Sequence, residues 1–371
     1  SLYPALYVSD DIAEIEINAV FRSTWFCIGR ADILAEPGDY MALDIVGQAL
    51  LLVRGDTGEL SLFANSCRHR GARLLNGEGT CRAIRCPFHA WSYRLDGTLA
   101  SAPHMQKVPG FSRDELGLVT HRVEERAGFV FVCLSESAAD LDDVLGDFLA
   151  VHAPWPLERL ITKRRREFTV NCNWKSFLEV FNEYYHLPFV HPTTVNGVYS
   201  RPDSADATQG NYASQFGRTE GTGGLLQDQQ EMALPEMPGL QAQASKGVRY
   251  TWVFPNMTFA AGRDALWVYE AYPLGAGTCR VVQSACFPPE TLSLPDAEAR
   301  VSAYLHRLDA AIDEDIPALE NQQLGLFSPD AVQGPLQPLL EANVAGFSSW
   351  YAGMLLQRSS FFTKQREAAL S

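Results

Sequence analysis

Long apolar segments are missing from this sequence. No stretch approaches the roughly 18 consecutive apolar residues that a membrane-spanning helix requires. The N-terminus also lacks a basic region followed by an apolar stretch, which is the pattern of a secretion signal. We therefore expect a soluble protein that works in the cytoplasm, without membrane association.

Basic residues are in the minority. The 30 Lys and Arg residues face 44 Asp and Glu residues, which gives a formal charge of −14 at pH 7. A field of this sign repels nucleic acid and anionic lipid, so neither is an expected partner. The nucleotide-binding motifs G-x-G-x-x-G and G-x-x-x-x-G-K-[ST] are absent as well. The sequence therefore offers no visible means of binding NAD(P)H or of hydrolysing ATP.

Cysteine is scarce for a protein held together by disulfides. Eight cysteines are spread over 371 residues, and several lie in apolar strand-like runs such as residues 131–134. Buried thiols of this kind are typical of a reducing compartment, where distinctive cysteines are more often metal ligands than disulfide partners.

The first part of the chain has the pattern of a small all-β domain. Residues 40–135 alternate with a period of two between glycine-containing turns. Asp96 and Gly97 form a two-residue hairpin signal within this region. A Pro- and Trp-containing stretch at 153–157 predicts the domain boundary.

The second part has the pattern of an α+β domain. Helix-like segments at 172–187 and 295–325 flank strand-like alternation at 248–287. Residues 201–247, between the first helix-like segment and the strand-like one, are rich in Gly, Gln, Ser and Ala. We predict a long loop there.

Two cysteine–histidine pairs lie in turns of the predicted β domain. Cys67 and His69 form C-x-H, and Cys86 and His89 form C-x-x-H. Two thiolates and two imidazoles can bind zinc, or a [2Fe–2S] cluster in which Cys holds one iron and His the other. The C-x-H half favours the cluster, because zinc sites usually open with two cysteines. Imidazole ligands also raise the reduction potential, which suits a cluster that accepts electrons from a protein donor.

A second group of possible ligands falls in the predicted helix at 172–187. One face of this helix would carry Glu179, Asn182, Glu183 and His186. Pro188 is expected to end the helix, so that His191 folds back beside His186. Two histidines and a carboxylate form the ligand set of O₂-activating Fe(II) sites. Catalytic zinc accepts the same set, whereas a di-iron bundle needs a second Glu-x-x-His pair that the sequence lacks.

These motifs resemble those of Rieske non-heme iron oxygenases. Segments 67–74 and 85–91 are similar to the two cluster loops of ring-hydroxylating oxygenase α-subunits, and the resemblance spans nearly the whole chain. It implies an α+β fold with a helical lead-in at 1–39, an all-β Rieske [2Fe–2S] domain at 40–153 and a helix-grip catalytic domain with an antiparallel sheet at 154–371.

The resemblance also implies roles for individual residues. The cluster ligands would be Cys67, His69, Cys86 and His89. The ligands of the mononuclear Fe(II) would be His186, His191 and Asp315. Asp313 is the alternative to Asp315, because acidic residues are adjacent there. Glu183 would form hydrogen bonds to His89 of the partner subunit and to His186 of its own subunit and so bridge electron transfer between them, and Asn182 is a second catalytic candidate.

The resemblance further implies the reaction and the partners. The chain would be a terminal oxygenase that uses O₂ and electrons from an NAD(P)H-dependent flavin and iron–sulfur reductase, directly or through a ferredoxin, within a head-to-tail homotrimer. Glu183 and the runs 323–329 and 347–351 look more like the betaine and carnitine-type oxygenases than the larger ring dihydroxylases. We expect monooxygenation of a small quaternary ammonium compound, by N-demethylation or hydroxylation. The alternative is an aromatic-ring dioxygenase or an O-demethylase of an aromatic acid.

Aromatic residues of the strand-like segment are candidates for a cation–π pocket. They are Trp252, Phe254 and Trp267, followed by Phe259, Tyr269 and Tyr272. Such alternation more often indicates a sheet core. The four histidines without a motif are expected to be ordinary surface or core residues: His104, His121, His152 and His306.

Overall fold

The computed structural model describes residues 1–240 and 243–369, with side chains as far as Gln357. The chain forms two compact units. The β unit is Ser23–Ala138, and the α+β unit combines Ser1–Arg22 with the residues from Ala139 onward.

The β unit consists of short antiparallel strands. They are β1 (Trp25–Arg30), β2 (Asp39–Ile45), β3 (Gln48–Arg54), β4 (Leu60–Ala64), β5 (Glu78–Thr80), β6 (Ile84–Arg85), β7 (Ser92–Tyr93), β8 (Leu99–Ser101), β9 (Thr120–Arg126) and β10 (Phe129–Cys133), with a 3₁₀ turn at Ala31–Ile33. One sheet has the order β1-β10-β9-β4-β3-β2-β5, and β6, β7 and β8 form a smaller sheet. The predicted Asp96-Gly97 hairpin is confirmed, because Gly97 has φ 82° in the turn that joins β7 to β8.

The α+β unit contains the helices and a six-stranded sheet. Its helices are α1 (Ala5–Val8), α2 (Asp10–Glu16), α3 (Leu141–Leu145), α4 (Phe148–His152), α5 (Trp174–Phe181), α6 (Leu187–Val190), α7 (Pro289–Leu292), α8 (Ala297–Leu326) and α9 (Ala342–Ala369), with a π-helix at Ile17–Phe21 and 3₁₀ turns at Leu157–Arg159, Gln227–Met232 and Ala244–Lys246. Its strands are β11 (Ile161–Val170), β12 (Tyr212–Arg218), β13 (Gly247–Val253), β14 (Met257–Ala261), β15 (Leu266–Gly275) and β16 (Thr278–Phe287). Within the described residues, no helix combines the length and the apolar character needed to cross a membrane.

The sheet of the α+β unit is antiparallel, with the order β11-β16-β15-β14-β13-β12. Every residue of β14 is buried, as expected for a central strand covered on both faces. Helix α5 packs on β14, β15 and β16 and also contacts α8, while α9 packs on β12 and β13. The predicted strands at 248–287 and the predicted helix at 295–325 are thus confirmed, together with the α+β class.

The unit boundaries lie earlier in the chain than the predicted divisions after residues 39 and 153. Strand β1 pairs with β10, which places the segment after Arg22 in the β unit. At the other boundary, Trp155 is buried in the α+β unit, and its indole N–H donates a hydrogen bond to the carbonyl of Gly262 at 2.9 Å. The Pro- and Trp-containing stretch is therefore part of that unit's packing and does not divide the chain.

The predicted helix at 172–187 ends early. Helix α5 stops before Asn182, whose side-chain amide donates a hydrogen bond to the Thr258 hydroxyl at 2.9 Å. The backbone N–H of Tyr184 donates to the carbonyl of Leu340 at 2.8 Å instead of to a helical carbonyl. Partners far along the chain therefore end this helix, and no local pattern reveals them.

The four polar side chains predicted on one helix face are consequently separated. Glu179 remains in α5 and accepts a hydrogen bond from the Tyr7 hydroxyl at 2.6 Å. Glu183 and His186 lie in the turn after α5. Pro188 does not end a helix but belongs to the first turn of α6, a position that proline favours.

The segment 201–247, predicted as a long loop, contains strand β12. Ser214 and Gln215 in this strand are fully buried despite being polar. The Gln215 amide donates hydrogen bonds to the carbonyls of Asp203 and Leu339 at 2.9 and 2.8 Å. The sequence pattern does not predict this strand, because its buried polar residues depend on hydrogen bonds to residues outside the strand.

His152 gives the α+β unit a predictable sensitivity to acid. Its buried ring receives a hydrogen bond from the Thr251 hydroxyl at Nε2 and donates through Nδ1 to the carbonyl of Phe148, both at 2.7 Å. Burial lowers the pKa of His152 to about 3. Because the folded pKa is lowered, stability is present above the unfolded value near 6.5 and is lost as the pH falls toward 3, by about 1.4 kcal/mol for each pH unit.

We therefore expect His152→Gln to show a shallower loss of unfolding free energy between pH 6.5 and 5 than the wild type. Urea unfolding followed by tryptophan fluorescence at several pH values measures this slope. The exposed His104 provides the matched variant His104→Gln, which should retain the wild-type slope. Equal slopes for all three proteins would show that His152 does not control the acid sensitivity.

Candidate metal centres

Two loops of the β unit carry the four predicted cluster ligands. Cys67 and Cys86 are buried, and His69 and His89 are half-buried. The Nδ1 atoms of His69 and His89 lie 3.2 Å apart. Two atoms bound at right angles to one metal, at about 2.1 Å each, are separated by about 3 Å. The two imidazoles therefore fit as a ligand pair on one iron, and the buried thiols supply the ligand type that the second iron needs.

The two loops share one backbone geometry. The N–H of Gly71 donates to the carbonyl of Cys67 at 2.8 Å, and the N–H of Ala90 donates to the carbonyl of Cys86 at 3.1 Å. Gly71 and Ala90 have φ values of 73° and 58°, a region that is free of strain for glycine but not for alanine. Each loop thus turns back on itself within two residues of its histidine.

Tyr93 belongs to this site and was not singled out from the sequence. Its hydroxyl lies 3.4 Å from Sγ of Cys67 and accepts a hydrogen bond from the N–H of Arg68 at 3.1 Å. Burial and then the hydrogen bond with Cys67 raise the pKa of Tyr93. The phenol therefore stays protonated and is placed to donate to a Cys67 thiolate. Its only sequence signal is an aromatic residue in a strand, which is also typical of a core position.

A three-residue group in the α+β unit could hold a metal ion. It consists of His186, His191 and Asp315, whose ligand atoms lie within 4.8 Å of one another. Oδ1 of Asp315 is 3.0 Å from Nε2 of His191 and 3.6 Å from Nε2 of His186. That oxygen is buried and has no properly oriented hydrogen-bond donor. Because the spacing is close to that of ligands around one metal, the donor set fits a mononuclear iron with open positions.

Asp313, the alternative third ligand, is exposed and is not part of this group. Asp315 projects from α8, whereas His186 and His191 flank α6. Asn182, the second catalytic candidate, is buried at the end of α5 and hydrogen-bonded to Thr258. The structure therefore gives Asn182 a part in ending the helix and brings Asp315 to the two histidines.

Each of the two histidines has a carboxylate on its other ring nitrogen. Glu183 is hydrogen-bonded to Nδ1 of His186, and Glu314 is hydrogen-bonded to Nδ1 of His191 at 2.6 Å. Glu314 also accepts a hydrogen bond from the Thr194 hydroxyl at 2.5 Å. Burial lowers the pKa of His191, but Asp315 and Glu314 outweigh it and raise the pKa overall. A carboxylate at Nδ1 fixes the tautomer that leaves Nε2 free to bind a metal.

Glu314 was overlooked because its role depends on which side of α8 faces His191. We expect Glu314→Gln to weaken iron binding at the mononuclear site on the order of tenfold or more, because an amide replaces the anion behind His191. Calorimetric titration of Fe(II) into protein depleted of that iron measures the effect. Glu320→Gln, on the same helix but bonded to Asn171, is the matched control. Unchanged iron affinity in Glu314→Gln would remove Glu314 from the site.

A cavity with about 480 Å³ of empty space, including its mouth, lies against this group. His186, His191 and Asp315 all line it. Its aromatic lining consists of Phe181, Tyr184, Tyr250 and Tyr269. A larger neighbouring cavity also reaches Glu183 and His186 but not the other two members of the group. The cavity with all three is therefore the candidate substrate site.

The structure places most of the predicted substrate contacts outside this cavity. Trp252 is fully buried and stacks on Phe347 of α9, with ring centroids 3.9 Å apart. Phe254 packs against the same Phe347. Neither these residues nor Trp267 line the cavity that contains the metal-ligand group. Of the six aromatic candidates, only Tyr269 does, because the other side chains pack elsewhere.

Comparisons with known proteins agree with both sites. The chain matches the family model for the ring hydroxylating alpha subunit (catalytic domain) over residues 148–357 and the model for the Rieske [2Fe-2S] domain over residues 24–112. The carnitine monooxygenase oxygenase subunit of Acinetobacter pittii is 29% identical over 326 residues, with 87% of this chain and 84% of that protein covered. The glycine betaine monooxygenase oxygenase subunit of Pseudomonas aeruginosa is 26% identical over 390 residues, with coverages of 96% and 89%.

A solved structure has the same fold. The quaternary ammonium Rieske monooxygenase CntA in complex with L-carnitine superposes with a TM-score of 0.80 at 26% identity, and 95% of each chain is covered. Taken with the geometry of the two sites, these matches define a Rieske-type oxidoreductase that binds a [2Fe–2S] cluster and a mononuclear iron. The chain belongs to the ring-hydroxylating oxygenase α-subunit family.

Proposed function

We propose that this chain is the terminal oxygenase of a multicomponent system that monooxygenates a small quaternary ammonium compound, by N-demethylation or by hydroxylation. The observation that carries the proposal is the aromatic lining of the cavity beside His186, His191 and Asp315. Ring centroids of Phe181 and Tyr269 are 4.7 Å apart, which makes a compact aromatic wall. Such walls attract quaternary ammonium cations through the quadrupoles of the rings. The carnitine and glycine betaine monooxygenases among the relatives support the same chemistry.

The residues around the cavity have distinct tasks in this proposal. His186, His191 and Asp315 hold the iron, which supplies O₂ activation once it is bound. Glu183 and Glu314 keep the two imidazoles oriented by accepting hydrogen bonds from Nδ1–H. The aromatic lining orients the cation and keeps water from the reacting carbon.

Electrons come from a partner protein, in our proposal an NAD(P)H-dependent flavin and iron–sulfur reductase, directly or through a ferredoxin. The absence of a nucleotide-binding motif from the sequence supports this division of labour. Cys67, His69, Cys86 and His89 hold the cluster that receives the electrons.

We further propose a head-to-tail homotrimer in which Glu183 accepts hydrogen bonds from His89 of the partner subunit and from His186 of its own, and so bridges the path of electrons between the two metal centres. Two exposed apolar surfaces support a contact between subunits. Phe88, next to His89, is 58% exposed, and Tyr185 and Phe189, which flank His186 in the chain, are 53% and 75% exposed. Aromatic side chains of this size are enriched in protein interfaces.

A substrate panel tests the proposed chemistry. Chemically reduced enzyme is mixed with O₂ and either quaternary ammonium compounds or methoxybenzoates, and mass spectrometry follows formaldehyde and hydroxylated products. We expect products from the quaternary ammonium compounds. Products from the aromatic acids alone would replace the proposal with the alternative, an O-demethylase or ring dioxygenase.

A further inference from the structure

One charged side chain of the candidate substrate cavity has no part in the function described above. Arg307, on α8, lines the same cavity as His186, His191 and Asp315 and is only 5% exposed. A guanidinium keeps its charge in proteins, so a positive charge is buried there. Among the described residues, no carboxylate lies within the 4.0 Å ion-pair distance of Arg307.

The contacts of Arg307 account for only part of its binding capacity. The guanidinium lies over the Trp267 ring, 5.2 Å from its centroid, and shares the cavity lining with Tyr250. The Tyr250 hydroxyl is itself bonded to Tyr199 at 2.7 Å. A guanidinium has five N–H donors in a planar fork that matches a carboxylate. A buried arginine without an anion is costly, because desolvation is not offset by an ion pair.

We propose that Arg307 binds the carboxylate of the substrate, so that the enzyme acts on zwitterions that carry both a carboxylate and a quaternary ammonium group. This inference rests on the proposed function and narrows its substrate class. It also explains how a cationic substrate is held in a cavity that already contains a buried cation. The carboxylate of the substrate neutralises Arg307, and the ammonium group is left to the aromatic lining.

The position of Arg307 on α8 also orients the substrate. Asp315 follows it by eight residues (315 − 307), which corresponds to a rise of about 12 Å along the helix axis. Both side chains line the cavity from positions about two helical turns apart. A zwitterion fixed at Arg307 directs its ammonium end, with the N-methyl and adjacent carbon atoms, toward His186 and His191.

The test compares ligands that differ only in the carboxylate. Glycine betaine and its methyl ester contain the same quaternary ammonium group, and choline is a second quaternary ammonium compound without a carboxylate. Calorimetric titration of the loaded enzyme is expected to give roughly 10- to 100-fold weaker binding for the ester and for choline, the range of a charge-assisted hydrogen-bond pair. Arg307→Gln should weaken the binding of glycine betaine by a similar factor and change the affinity for choline by less than about threefold. Arg307→Lys keeps the charge but not the planar pair of donors. Its affinity for glycine betaine should therefore lie between those of the wild type and Arg307→Gln.

Arg300→Gln is the matched control, since Arg300 lies on the same helix but is bonded to Asp296 outside the cavity. It should bind every ligand as the wild type does. Equal losses for glycine betaine and choline in Arg307→Gln would make Arg307 a structural residue and overturn the inference. If that variant does not fold, the wild-type comparison of glycine betaine with its ester decides the same question.

The substrate panel separates this inference from the proposed function. Turnover of quaternary ammonium compounds with no preference for a carboxylate would reject the role of Arg307 and keep the function. Binding of a methoxybenzoate that is lost in Arg307→Gln, with no quaternary ammonium turnover, would reject the proposed substrate and leave Arg307 as a carboxylate anchor.

Discussion

Replacing His186 by alanine is expected to abolish turnover and to leave the visible absorption of the [2Fe–2S] cluster unchanged. His186 supplies one of three metal ligands in the α+β unit, and the cluster ligands lie in the β unit. Two remaining ligands hold Fe(II) too weakly, so iron should fall from about three to about two per chain, with about two acid-labile sulfides in both proteins. Metal analysis, the visible spectrum and product formation measure the three parts of this result.

Two further variants complete that experiment. His89→Ala should bleach the cluster absorption, because it removes a ligand of the other centre. His306→Ala, an exposed histidine on the helix that carries Asp315, should retain both metals and normal turnover. A His186→Ala protein that still formed product, or one that lost the cluster, would contradict the assignment of His186. Zinc in place of iron in the wild type would overturn both centres.

In protein loaded with both metals, Glu183→Gln is expected to slow electron delivery by orders of magnitude while substrate affinity is retained. The side chain is hydrogen-bonded to Nδ1 of His186 and accepts a second bond from the N–H of His186 at 3.1 Å. An amide keeps the size of the carboxylate but lacks the charge that accepts hydrogen bonds from two imidazoles. Single-turnover oxidation of the pre-reduced cluster, with substrate and O₂ present, measures the rate.

Glu183→Asp is the matched variant, because it retains the carboxylate on a shorter side chain. It should recover a large part of the wild-type rate, because the negative charge that accepts the hydrogen bonds is kept. A Glu183→Gln protein that reoxidised its cluster at the wild-type rate and formed normal product would leave Glu183 as a structural residue of the turn.

The sequence predicted the ligands that lie close together in the chain. Cys67 and His69, and likewise Cys86 and His89, are neighbours in tight loops, so spacing alone brings the two members of each pair together. Asp315 was inferred only from resemblance, because its meeting with His191 depends on how α8 packs. The role of Glu314 was missed for the same reason, since adjacent acidic residues on a helix point in different directions.

Errors arose where distant contacts override local pattern. The extended helix over 172–187 fits the local spacing, but the hydrogen bond from Tyr184 to Leu340 ends it early. The aromatic pocket was placed on Trp252 because cation-binding and core aromatics look alike in a strand. Only the stacking of Phe347 on Trp252 distinguishes them.

The central claim is that this one chain, supplied with electrons and O₂, oxidises a bound substrate through its two metal centres. The most direct test is a single turnover without any reductase. The enzyme is reduced chemically, freed of reductant and mixed with O₂ and glycine betaine or carnitine. Cluster absorption and product are then followed together. We expect about one cluster reoxidised for each product molecule, because a monooxygenation needs two electrons, of which the reduced cluster and the Fe(II) would each supply one. Product at full yield from protein without its cluster, or cluster oxidation with no product from any substrate in the panel, would contradict the account.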